Sequence, residues 1–508
     1  MPSEDRSLLP PRYVALLLAA ISGWGLYQAL AIRTNADVAW YLYAGARILD
    51  GARLGADIIE VNAPLIIVLS MGIEGLARLI GISAITLLPW LITALSCTSI
   101  GVCAWLARPW NANVRQWFLV GLAFVLLIDV GGMMGQREHL LVILVMPYVC
   151  LLVREADGRP MRPSAAAVVG IVAAVGFGLK PFFLPAWVAL EAYMVVRRGV
   201  RALCRAQFVA MLAAFVLYAL GILVWTPDYL VFAAESLSLY RAYQPYGDVP
   251  VILSSSFGFV LLAVAFACFS GRSVARSLID AGAILGIMLS FAVFLQGKGW
   301  HYQWYPAVAL ATILFAVAAG ALAARSRFIT AAGAQGIAAF AVILLTMRTY
   351  VFWTVAAPEQ LEIDALVRRH ADGAAILALS SHLHVGFPLV NETKVRWASR
   401  YPTMWQLPAF CNESTAACRS KERVFLDAVW VDLVSALPAL LIVDSVPPTP
   451  SLAGFDYLDY FRRDSRMATV LSDYRFLKRI GRYRVFLRSD LECGDSPTQP
   501  LVTAPEHR

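Results

Sequence analysis

The residues able to do chemistry are few, and they stand at the edges of long apolar runs. Asp37 follows the run Tyr13 to Ile32 and opens a polar stretch, Asn35 to Pro64, that also holds Asp50, Asp57 and Glu60. Arg137, Glu138 and His139 form a second polar break, Lys180 precedes Pro181, and Lys298, His301 and Gln303 share a third short segment. A carboxylate such as Asp37 could take a proton from an attacking hydroxyl. A second, Glu138, could hold a divalent cation such as Mg or Mn, or a sugar hydroxyl. The cations Arg137, Lys180 and Lys298, with His139, His301 and Gln303 beside them, could hold a phosphate. Each has a plainer reading. Asp37 could cap the helix it begins. Glu138 could pair with Arg137 or Lys180. Lys180 could snorkel to a membrane interface, and His301 could belong to an interfacial aromatic belt. His382 and His384 read as surface residues at a strand end.

The elements that carry these residues follow from composition. The 508-residue chain is 59% hydrophobic and 15% charged, with a mean hydropathy of +0.67. One soluble core cannot hide that much apolar surface, so repeated apolar runs predict a polytopic helical membrane protein. The net charge of +8 sits in short Arg-rich loops, which is the positive-inside pattern and not a nucleic-acid face. No cleavable signal peptide is expected; the first span reads as an anchor. Placing Arg-rich loops inside gives roughly eleven spans. They run over about 13–32, 84–106, 116–130, 140–153, two within 164–197, then 206–226, 251–270, 277–296, 304–323 and 328–353. The scheme requires the apolar run 64–82 to lie along the outer surface as an interfacial helix. It places Asp37, Glu138, His139, Lys180, Lys298 and His301 at outer boundaries. Polar residues near hydrocarbon are costly, so their collection on one side favours a functional site. Pro227 to Pro250 is expected to be a longer outer loop.

From Pro358 the chain changes character. Residues 374–379 and 439–443 read as short buried strands, each preceded by a helical pattern, which predicts a small α/β domain on the outer face. Cys411 and Cys418 within it could pair in an oxidising compartment; the other cysteines show no metal-ligand spacing. The expected division is a membrane module over 1–357 with a first outer loop at 34–83, the α/β domain over 358–490, and a disordered tail over 491–508.

The order of these elements resembles the GT-C superfamily of integral-membrane glycosyltransferases, which includes protein O-mannosyltransferases, lipid A aminoarabinose transferases and mycobacterial arabinosyltransferases. The resemblance rests on an acidic residue just after span one, here Asn35-Ala36-Asp37-Val38-Ala39-Trp40-Tyr41. It rests also on the segment from Asp57 to Pro64, on Arg137-Glu138-His139, on Lys180-Pro181 and on the segment Lys298 to His301. Ala63-Pro64 stands where the family often has Pro-Pro, and Glu138 stands where it often has Asp, which leaves metal use open. The resemblance implies a polyprenyl-phosphate-linked sugar as donor and an envelope glycan, lipid or protein as acceptor. It implies inverting transfer with Asp37 as base and Lys180, Lys298 and His301 on the leaving phosphate. High Ala and Arg content suggests a GC-rich bacterium, which would place the chain in the inner membrane with its site facing the periplasm.

Two other classes compete. A transporter or flippase of lipid-linked glycans predicts internal repeats and mid-span charges, and neither is evident. An O-antigen ligase or polymerase predicts a large late outer loop, and the late loop here is short.

Overall fold

The computed structural model describes residues 8–243, 255–326, 328–354, 358–412 and 415–492. The expected tail, 491–508, falls almost wholly outside them. Among the described residues, seven helical runs are long and apolar enough to cross a membrane: Pro11–Ala31, Ala84–Leu106, Ala112–Asp129, Arg137–Ala156, Ala206–Trp225, Arg272–Gln296 and His301–Arg325. Three shorter apolar helices, Pro163–Gly178, Ser255–Ser270 and Ala331–Met347, accompany them. The chain is a multi-pass helical membrane protein with a small sheet domain at its carboxyl end.

Two expected loops fold instead. Arg137, Glu138 and His139 form the first turn of the Arg137–Ala156 helix, because the apolar pattern behind them needs those residues to complete its opening turn. Residues 227–242 form the Pro227–Ala242 helix, which has Pro227 in its first turn and Asp228 at its positive pole. The rest of that expected loop, from residue 244, lies outside the described residues.

The polar stretch after the first span builds two short helices, Ala36–Leu49 and Leu65–Ile80. At about 1.5 Å per residue the second is too short to cross a hydrocarbon core of about 30 Å. It stops at Gly81, whose φ of 81° suits a helix carboxyl cap. The two helices pack closely because Gly45 lacks a Cβ; one built there would meet the backbone of Ser70 and Met71 at 2.9 Å.

The terminal domain holds β1 (Ala375–Leu379), β2 (Arg396–Trp397), β3 (Leu440–Asp444), β4 (Tyr474–Ile480) and β5 (Tyr483–Arg488), in sheet order β2-β1-β3-β5-β4. β1 pairs in parallel with β2 and β3, while β5 joins β3 and β4 antiparallel. β1 and β3 are buried along their whole length, which is why they read as continuous apolar runs. The domain docks on the first polar stretch. Phe387 packs on Trp40 and Tyr43 with ring centroids 5.4 and 5.5 Å apart. Asn391 donates to the Ala39 carbonyl at 3.0 Å, and Arg33 pairs with Asp364 and Glu392. Cys411 and Cys418 are not bridged: the Cys418 sulfur is buried against the Ala409 carbonyl, while Cys411 is exposed.

Candidate active site

The Ala36–Leu49 helix begins at a cap, and the cap is Asn35: its side-chain oxygen accepts the Asp37 N–H at 2.9 Å. Asp37 is therefore not needed for capping. It sits half-buried in the first turn and lines a cavity of about 390 Å³ between the bundle and the sheet domain. Its carboxylate has one partner among the described residues, the Gln136 amide, which donates to Oδ2 at 2.9 Å and to Asn35 Oδ1 at 2.7 Å. A carboxylate held by a single neutral donor keeps lone pairs available for a proton.

The segment after that helix supplies the next wall. Glu60 is buried and accepts Trp40 Nε1 at 2.7 Å, Asn62 N at 2.8 Å and Asn62 Nδ2 at 2.6 Å. Burial pushes its carboxyl up from the usual range, and these bonds with nearby Arg137 oppose that. Asn62 Oδ1 in turn accepts Arg137 Nη1. Arg137, buried at the start of its helix, stacks over the Tyr41 ring at 5.5 Å, and its Nε has no partner among the described residues.

Behind this wall, Lys180 pairs with Glu138 and donates to Gln296 Oε1 at 3.1 Å. Its ammonium lies 5.3 Å from the centroid of the Tyr302 ring, which separates it from the cavity. Gln303 Nε2 shares the same Gln296 oxygen at 3.1 Å. Buried Glu138 Oε2, Gln136 Oε1 and Gln303 Oε1 have no partner among the described residues. Such orphaned acceptors are costly in a dry interior, so they point to waters or a ligand here. The aromatic wall comes from Tyr240, Tyr243, Trp300, Tyr302 and Trp405.

The structure thus brings Asp37 and Arg137 to the cavity and places Glu138, Lys180 and Gln303 just behind it. Three candidates stand elsewhere. His139 is fully buried; its Nδ1 accepts Gly135 N–H at 3.2 Å and its Nε2 lies 2.9 Å from the Leu126 carbonyl, so both ring nitrogens are committed inside the bundle. Lys298 is flanked by Gly297 and Gly299 at φ 60° and 69°, which turn it inward. Its ammonium donates to the Tyr240 carbonyl at 2.6 Å and to that of Tyr243, so it caps the Pro227–Ala242 helix and has no place on the cavity wall. His301 is exposed and does not line the cavity.

Conversely, Glu60, Asn62, Gln136 and the aromatic wall were not singled out from sequence. His382 and His384, read as surface residues, line the cavity beyond the carboxyl end of β1. Ligands favour the carboxyl ends of parallel strands, and that rule was the available signal.

A divalent cation does not fit at Glu138. Its partner is Lys180 and its neighbour is Arg137, both cations. Among the described residues no three His, Cys, Asp or Glu side chains stand together as a metal site.

No protein-family model matches the chain, and no curated protein does. Solved structures do. ArnT from Cupriavidus metallidurans bound to undecaprenyl phosphate is similar with a TM-score of 0.57 and 13% identity, over 94% of this chain and 98% of that one. The same protein in the apo state gives 0.57 and 14% over the same shares. The archaeal oligosaccharyltransferase AglB from Archaeoglobus fulgidus, in complex with an inhibitory peptide and a dolichol-phosphate, gives 0.47 and 11%, over 94% and 74%. The chain therefore has the fold of the ArnT structures, as the order of its elements leads one to expect. It shares that fold from the first span to the sheet domain.

Proposed function

We propose that this protein is a GT-C-type glycosyltransferase. It moves a sugar from a polyprenyl-phosphate donor to a hydroxyl of a cell-envelope glycan, lipid or protein acceptor, on the periplasmic face of a bacterial inner membrane. The observation that carries the reading is one cavity lined by both Asp37, a carboxylate with a single neutral partner, and Arg137, a guanidinium with an uncommitted Nε. A base and an anion holder in one pocket suit displacement at a carbon bearing a phosphate. The bound undecaprenyl phosphate of the ArnT structure supports the donor class.

In this reading the acceptor hydroxyl gives its proton to Asp37 and its oxygen bonds the anomeric carbon. The anomeric C–O bond to phosphate breaks on the opposite face, and its electron pair leaves with the polyprenyl phosphate. Arg137 takes up the developing charge, and the Lys180–Glu138 pair sets the field behind Tyr302. The aromatic wall offers faces on which a sugar ring can stack. The test is chemical. The purified protein, given a membrane-lipid extract containing polyprenyl-phosphate sugars, should release free polyprenyl phosphate in step with glycosylated product. Movement of intact lipid-linked sugar across vesicles with no release would identify a flippase instead.

A further inference from the structure

The polar groups around Arg137 are ordered in a chain that begins at Glu60. Glu60 Oε2 holds Trp40 Nε1, while Oε1 takes both the backbone N–H and the side-chain Nδ2 of Asn62. Those bonds fix which way the Asn62 amide faces: a carboxylate can only accept, so Nδ2 must point to it. Nδ2 also reaches the Tyr41 hydroxyl at 3.3 Å. The amide oxygen is left facing Arg137, and it accepts Nη1.

Tyr41 fills one face of the guanidinium and Asn62 takes one arm. Buried Nε has no partner, and no bond to Nη2 is found among the described residues. The Nε–Nη2 edge is the two-pronged edge that matches a phosphate. The other nearby cations are already committed, Lys180 to Glu138 and Lys298 to backbone carbonyls.

We propose that Glu60 is a positioning residue: it locks the Asn62 amide so that Asn62 holds one arm of Arg137 and leaves the Nε–Nη2 edge presented to the phosphate of the donor. This rests on the polyprenyl-phosphate reading above. Glu60 does not touch the phosphate in this account; it acts through Asn62.

A mutant cycle on the full-length purified protein tests it, with affinity for undecaprenyl phosphate as the readout. Glu60→Ala and Asn62→Ala should each weaken binding by roughly tenfold, as expected when a bond to a charged group is lost. Arg137→Ala should weaken it more. In the Arg137→Ala background, Glu60→Ala should have no further effect, because the chain then has nothing to position. Should Glu60→Ala fail to fold, the same cycle with Asn62→Ala decides the matter. Losses that add in full in the double variants, or no loss in the single ones, would overturn the positioning role alone. Failure of the unaltered protein to bind undecaprenyl phosphate would overturn both this role and the donor reading.

Discussion

Lys180 is almost wholly buried, yet it keeps a charge partner. Burial, then Arg137, push its ammonium down to about 8, while Glu138 and more distant Asp37 push it back up. Below that pH Lys180 carries its positive charge behind Tyr302; above it that charge is lost. Across a separation on the order of 8 Å at an effective dielectric of 20, losing it weakens the attraction for an incoming phosphate by about 2 kcal/mol. Undecaprenyl phosphate affinity should therefore fall above about pH 8, by roughly thirtyfold. Lys180→Arg, which stays protonated, should flatten the profile; an unchanged profile in that variant would contradict the account. At this scale the sequence was partly legible. Asp37 and Arg137 stood out because charge beside a long apolar run is costly. His139 and Lys298 stood out for the same reason but serve the scaffold. Their partners, Gly135, Leu126, Tyr240 and Tyr243, are backbone groups whose approach depends on tertiary packing. Glu60 looked like one of several loop carboxylates, since nothing local shows that Trp40 and Asn62 close over it.

The Pro227–Ala242 helix is a second element, beside the first polar stretch, that joins bundle to domain. Lys298 holds its carboxyl end, Lys421 donates to the Glu235 carbonyl at 2.6 Å, and Tyr240 meets Trp405 with centroids 5.5 Å apart. Lys298→Met keeps the aliphatic stem and removes the donors. Backbone exchange over 238–243 should rise by roughly tenfold, about the worth of one lost bond to a charged group, while exchange in β1 stays unchanged. Away from the cavity, Arg205 ties Glu191 and Glu155 together, with Tyr148 also on Glu191. Arg205→Met leaves buried Glu191 and half-buried Glu155 without their cation and should cost about 3 kcal/mol, seen as a lowered melting temperature. Glu191→Gln in the same background should recover part of it. Most helices were legible from apolar run length. The β4–β5 hairpin was not, because its alternating Arg and apolar residues resemble a polar surface segment until Gly481, at φ 51°, closes the turn. The π-helical Val125–Asp129 segment was also invisible locally: Gln28 of the first span donates to the Ile128 carbonyl at 2.8 Å.

Sidedness is a property of the whole molecule. Asp37, the cavity and the sheet domain share one end of the bundle, whereas the Arg154, Arg159 and Arg198 cluster with Glu155 lies at the other. The proposed topology, with its Arg-rich loops inside, puts the second end on the cytoplasmic side. A reporter at Arg159 should read as cytoplasmic and one at Cys411 as periplasmic, with the Leu65–Ile80 helix labelled from the periplasmic side; the reverse would sink the orientation. The overall architecture was legible because span count, Arg placement and the change at Pro358 are global patterns. The cavity was not, because the elements that line it come from across the chain. The claim that unites them is that Asp37 takes the acceptor proton, and the direct measurement compares Asp37→Asn with the unaltered protein in the polyprenyl phosphate release assay. Asn35 already caps the helix, and asparagine at 37 can still accept from Gln136, so folding and undecaprenyl phosphate binding should persist. Release should fall by about 10²–10⁴-fold, the usual cost of losing a general base. Near-normal release by a folded, lipid-binding Asp37→Asn protein would contradict the account.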